Sequence, residues 1–155
     1  MKWSGLLIVH LRNISILLVL SLVLFLPGIE KLPPLDRDEA RFAQASKQML
    51  ETGDYIDIRF QETPRYKKPA GAYWIQAASV QMLSPNDATL IWAYRIPSVI
   101  AAIASVFLTY AIACLFLSST SSLFAGILLA ASFLLNAEAH MAKTDALLLV
   151  SILIS

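Results

Sequence analysis

From residue 96 to residue 137 the chain runs for 42 residues without an Asp, Glu, Lys or Arg. A helix crosses a bilayer core with about 20 apolar residues, so this stretch holds two crossings and not one. Ser118-Ser119-Thr120-Ser121-Ser122 in its middle supplies a polar turn between them. A further apolar run, residues 14–27, follows Lys2 and Arg12 and, with residues 6–9, reads as a first span. Charge is segregated to match: residues 30–95 hold 18 of the 23 acidic and basic side chains. The 60 residues after Arg95 hold three, Glu138, Lys143 and Asp145. At 57% apolar and 15% charged the composition departs from that of soluble domains, where roughly a quarter of residues are charged. A single cysteine, Cys114 in the second span, excludes an internal disulfide framework, and a net charge of +1 makes no case for nucleic acid as a partner.

The expectation is an all-α, multi-span helical bundle with spans at about 7–27, 93–117 and 119–137, plus a stub at 145–155. The stub is half a crossing long, so the chain reads as the N-terminal part of a longer membrane domain. A cleaved leader is the rival for the first span, but Phe25-Leu26-Pro27-Gly28-Ile29 is not a small-residue cleavage site. Lys2 and Arg12 put the start of that span on the cytoplasmic side. Residues 28–92 then lie outside, and by parity residues 138–145 emerge on the same face.

The outside loop is long enough to need structure of its own. Asp36 suits an N-cap, Glu39 completes an acidic capping-box pattern, and Gly53 suits a left-handed stop, which frames a helix to about Glu51. Phe42, Ala45 and Met49 form its apolar stripe, with Asp38 and Arg41 on that side of the first turn. Residues 55–60 alternate as a short extended piece. Pro69 suits the first position of a second helix to Leu83, in which Tyr73 and Trp74 read as boundary anchors. Both helices are expected to lie along the membrane surface. Arg95 reads as another boundary anchor and His140 as a surface residue.

Carboxylates at the edge of apolar helices are costly unless solvated, paired or metal-bound. Asp38, Glu39 and Asp145 meet that description, and parity brings them to one face. Asp38 and Asp145 suit a general base or the oxygen ligands of a divalent metal. Each acid also suits plain capping of a helix. Arg41, Arg65, Lys67 and Lys68 suit a lipid phosphate, or anionic headgroups in general.

The order of these motifs is distinctive: Leu35-Asp36-Arg37-Asp38-Glu39-Ala40-Arg41-Phe42, then Met49-Leu50-Glu51-Thr52-Gly53-Asp54, Lys67-Lys68-Pro69 with Tyr73-Trp74, Arg95-Ile96-Pro97-Ser98, and Ala142-Lys143-Thr144-Asp145. Residues 30–155 resemble the N-terminal part of bacterial membrane glycosyltransferases of the GT-C class, notably lipid A aminoarabinose transferases and protein mannosyltransferases. The resemblance implies sugar transfer from a polyprenyl-phosphate donor to a lipid A or protein acceptor on the periplasmic face of the inner membrane. It implies Asp38 as catalytic base, Asp145 as a second acid of the site with a possible metal shared between them, and Arg41 and Lys68 on the lipid phosphate. Two departures stand out: Lys67 where relatives often carry Glu before Lys-Pro, and Phe42 where the lipid A enzyme has Tyr. Both argue against simply carrying over aminoarabinose as the sugar. A membrane scaffold or anionic-lipid-binding subunit is the non-enzymatic alternative. A transporter fits less well, because residues 96–137 hold no ionisable acid or base.

Overall fold

The computed structural model describes residues 2–34 and 36–155, with side chains from residue 7 onward. It is an all-α membrane protein. In chain order the helices are α1 (Lys2–Phe25), α2 (Arg37–Thr52), α3 (Ala70–Leu83), α4 (Ile91–Ala113), α5 (Ser119–Ala130), α6 (Phe133–Ala139) and α7 (Asp145–Ile154), and strands β1 (Arg59–Phe60) and β2 (Thr63–Pro64) form a small hairpin between α2 and α3. Leu7–Phe25 and Ile91–Ala113 are each long and apolar enough to cross a membrane. The third span differs from the single helix expected at 119–137. It is broken into α5 and α6, bent by 58°. Ser132 caps α6 by accepting from the Leu135 N–H, and Asn136 Nδ2 donates to the Ala130 carbonyl at 2.7 Å, so side chains satisfy backbone groups that the break exposes.

Helix α4 is the hub, packing against α1, α3, α5, α6 and α7. Leu17 and Phe25 of α1 meet Val99, Ala102, Val106 and Tyr110 of α4 in the bundle core, while Leu7, Ile8, Val19 and Val23 face outwards, as lipid contact requires. A Cβ on Gly126 of α5 would lie 3.0 Å from the methyls of Leu17, so this glycine sets how closely α1 and α5 approach. Pro97 inside α4 has no N–H for the carbonyl of Ala93. Ser79 Oγ of α3 donates to that carbonyl at 2.6 Å, which repairs the ladder from a neighbouring helix.

Helix α2 has the ends its sequence predicts. The Asp36 side chain accepts from the Asp38 N–H at 3.1 Å, and Gly53 closes the helix at φ 71°. Its inner face is different. Glu39 joins Phe42, Ala45 and Met49 on the buried stripe, while Asp38 stays exposed and Arg41 half-buried. Tyr73 is also in the core, stacked on Phe42, and is no boundary anchor; Trp74 is half exposed and donates to the Tyr55 carbonyl. The extended piece at 55–60 contracts to β1, because Gln61 turns the chain at φ 57° and Gln48 bonds both its N–H and its carbonyl at 2.9 Å. Pro69 is at the cap of α3 and not inside it.

Glu39 turns inward to meet Arg95, near the start of α4. Glu39 Oε1 accepts from Arg95 Nε at 2.7 Å, and both side chains are 0% exposed. The same oxygen accepts from the Ala142 N–H at 3.0 Å. Arg95 also donates to the carbonyls of Ile29 and Leu32 at 2.7 Å and of Pro33 at 3.2 Å. A boundary anchor would point its charge at water; Arg95 instead ties four chain segments together from within. Breaking a buried pair strands one charge and costs about 3–5 kcal/mol. Arg95→Met is therefore expected to lower thermal stability in detergent sharply, whereas Glu39→Leu with Arg95→Met recovers part of the loss. Full recovery is not expected, because the Ala142 N–H and three carbonyls still lack partners.

Candidate functional site at the loop face of the bundle

The pair just described decides which charged groups can meet solvent. With Glu39 pointing inward, Asp38 one residue earlier points out, and Arg41 Nη1 lies 3.5 Å from its carboxylate. On the other side of the pair, the Ala142 N–H bond fixes the loop between α6 and α7. Lys143 Nζ then reaches Asp36 at 2.5 Å and Glu138 at 4.0 Å. His140 braces the same loop, with Nε2 2.9 Å from the Pro27 carbonyl and Nδ1 2.7 Å from that of Asn136. The two segments that parity assigns to one face are thus in direct contact.

Each expected site residue can now be placed. Asp38 is exposed on the first turn of α2 beside Arg41. Glu39 is fully buried, so its carboxylate supports the site from below and is not presented to a ligand. Asp145 is exposed at the first position of α7, and burial together with the nearby Asp145 charge raises the pKa of Glu138. These two acids rim a cavity of about 500 Å3 whose wall is otherwise apolar, with Leu129, Leu135 and Leu149. Lys67 and Lys68 are exposed in the segment between β2 and α3. Among the described residues, no three of His, Cys, Asp and Glu converge as a metal site. Asp38 lies against Arg41.

Lys143, Asp36 and Glu138 escaped the sequence reading as site residues. The signal available was composition: Lys143 is the single Lys or Arg after Arg95 and needs an anion, and Asp36 and Glu138 both emerge on its face. The Lys143 hydrogen bond, followed by the Asp38 N–H, holds Asp36 below the usual carboxylate range. Burial works against the Lys143 charge, but Asp36 and Glu138 outweigh it and raise its pKa. Asp36 therefore contributes above the unfolded carboxylate pKa, near 3.9, and its contribution is lost as pH falls through the lowered folded value. Lys143 contributes in full below the unfolded lysine pKa, about 10.4, and its contribution is lost as pH rises through the raised value.

A helical membrane protein with a built, charge-bearing face is the class this geometry defines. The dolichyl-phosphate-mannose-protein mannosyltransferase family model matches residues 67–155. The chain belongs to that family, whose match takes in Lys67, Lys68, Arg95 and Asp145 and leaves Asp38 and Arg41 outside it. It is 34% identical over 99 residues to the undecaprenyl phosphate-alpha-4-amino-4-deoxy-L-arabinose arabinosyl transferase of Pseudomonas aeruginosa, covering 60% of this chain and 17% of that protein. The corresponding transferase 2 of Pseudomonas fluorescens is 32% identical over 109 residues, covering 70% and 18%. That of Edwardsiella ictaluri is 29% identical over 98 residues, covering 63% and 16%. The chain thus spans about a sixth of the length of these relatives. No solved structure matches it.

The ion pairs at Lys143 make a measurable claim. Hydrogen-exchange protection factors at residues 142–145 are expected to stay level from about pH 7 to pH 9 and to change towards acid pH as Glu138, raised by burial, takes up its proton. In Lys143→Gln they are expected to fall at neutral pH, because Asp36 and Glu138 lose their shared cation.

Proposed function

We propose that the protein transfers a sugar from a polyprenyl-phosphate-linked donor to a lipid or protein acceptor, at the periplasmic face of a bacterial inner membrane. The observation that carries this reading is the contact between the α2 start and the α6–α7 loop. That contact brings the start of α2, where Asp38 is exposed beside Arg41, against the loop that leads into Asp145, and Lys67 and Lys68 are exposed just before α3. The family membership and the names of the relatives support the donor class.

In this reading Asp38 accepts the proton of the acceptor hydroxyl or amine as its oxygen or nitrogen attacks the anomeric carbon. The bond from that carbon to the donor phosphate breaks, and the electron pair leaves with the lipid phosphate. Arg41, Lys67 and Lys68 stabilise the charge that develops there. Glu39 holds α2 so that Asp38 faces the reactants. Asp145 orients a substrate from the rim of the apolar cavity, where Glu138 is its neighbour. A divalent ion held by Asp38 and Asp145 remains part of the proposal as a ligand of the full-length protein. The competing reading, an anionic-lipid-binding subunit, draws on Arg41, Arg65, Lys67 and Lys68 with the aromatics of α3 and gives the acids no task.

Asp38→Asn in the full-length protein is expected to lower sugar transfer by about 10²–10⁴-fold, the usual share of a positioned proton acceptor. Membrane insertion should be unchanged, since Asp38 is exposed. Transfer at the wild-type rate in that variant would remove Asp38 from the role, and would favour the lipid-binding reading.

A further inference from the structure

Arg65 directly follows β2, and its N–H donates to the Ile58 carbonyl at 2.7 Å, which pins its backbone to the hairpin. Its side chain is held twice more. Nε donates to Tyr73 Oη at 3.0 Å, and the guanidinium carbon lies 5.3 Å from the centroid of the Phe42 ring. Phe42 and Tyr73 are themselves buried and stacked, with ring centroids 5.0 Å apart, so the platform under Arg65 is fixed. These contacts engage one edge and one face of the guanidinium. The two terminal nitrogens make no hydrogen bond or ion pair with any described residue.

The neighbouring carboxylates are already engaged. Asp57 takes Arg59 and the Tyr66 hydroxyl, and Asp38 takes Arg41. The Tyr73 hydroxyl feels the charges of both Arg65 and Asp38, so both lie within electrostatic reach of it. Packing over Phe42 accounts for the stem of Arg65 but not for the fork. Ordering a long side chain costs rotamer entropy, and a planar fork held with two nitrogens open matches two oxygens of a phosphate.

We propose that Arg65 is an oxyanion-binding residue of this site, and that its two terminal nitrogens take oxygens of a lipid-borne phosphoryl group. The transferase reading supplies the identity of the lipid; the anion follows from the fork. Lys67 and Lys68, exposed two and three residues on, draw the anion towards the face, and Arg65 fixes its orientation.

The test is equilibrium binding of undecaprenyl phosphate, and separately of inorganic phosphate, to the purified full-length protein in detergent, with thermal unfolding in parallel. Arg65→Gln is expected to weaken lipid phosphate binding about tenfold or more, as loss of charge-assisted bonds does. Arg65→Lys keeps the charge and is expected to lose most of the same affinity, because an ammonium has no fork. Tyr73→Phe, which releases Nε, should give a smaller loss. Arg65-dependent binding of inorganic phosphate that competes with the lipid supports the proposal with the phosphoryl group alone as ligand. Arg65-dependent binding of the lipid without competition supports it with the lipid as source. Wild-type affinity in Arg65→Gln, with or without a change in unfolding temperature, overturns it. Should that variant fail to fold, unchanged affinity in both Arg65→Lys and Tyr73→Phe overturns it as well. A wild-type protein that binds in this way yet transfers no sugar defeats the transferase reading and leaves Arg65 standing.

Discussion

A carboxylate and a guanidinium, both removed from water, hold this structure together. Taking two ions out of water costs several kcal/mol each, and their attraction offsets that only when geometry and further hydrogen bonds are good. Here Glu39 Oε1 has two donors, and Arg95 spends its remaining nitrogens on three carbonyls of the chain between α1 and α2. Those carbonyls belong to a turn with no helix or sheet to satisfy them. The arginine thus does for the linker what a ladder does for a strand. In doing so it joins α2, α4, the linker and the α6–α7 loop at one point.

The rest of the loop face follows from that junction. Adjacent residues on a helix point about 100° apart, so fixing Glu39 inward leaves Asp38 outward. Fixing the Ala142 N–H places Lys143 over Asp36 and sets Asp145 at the start of α7. On the opposite side of α4, Ser79 mends the gap made by Pro97, so α3 and its attached hairpin are registered against the same helix. The aromatic platform of Phe42 and Tyr73 then joins α2 to α3. Each functional candidate sits on an element tied to α4 directly or through one neighbour.

Much of this was legible from residue types. Asp36 and Gly53 mark both ends of α2, the apolar runs mark the spans, and the parity of crossings brings the two charged segments together. The partition between Asp38 and Glu39 was not legible, because both suit a first turn and only the distant Arg95 selects one of them. Arg95 itself was misread for the same reason: at the mouth of an apolar helix, an arginine that snorkels and one that is buried look alike until the partner is known. Tyr73 was misread because an aromatic near a membrane boundary serves equally as anchor or core, and its stacking partner Phe42 lies 31 residues earlier in the chain. The break at residues 131–132 carried a local cue, Ser132 followed by Asn136, but an unbroken apolar count concealed it.

The bond from the Ala142 N–H to Glu39 also orders events in time. The two residues are 103 positions apart, and Arg95 precedes Ala142 by 47. At about 5–20 residues per second of synthesis, Arg95 leaves the ribosome roughly 2–9 s before its junction has all its parts. During that interval Glu39 and Arg95 can meet, but the oxygen they share lacks its second donor and the α6–α7 loop does not exist. The α2 surface is therefore held half-assembled at the membrane until the α6–α7 loop follows it out of the ribosome.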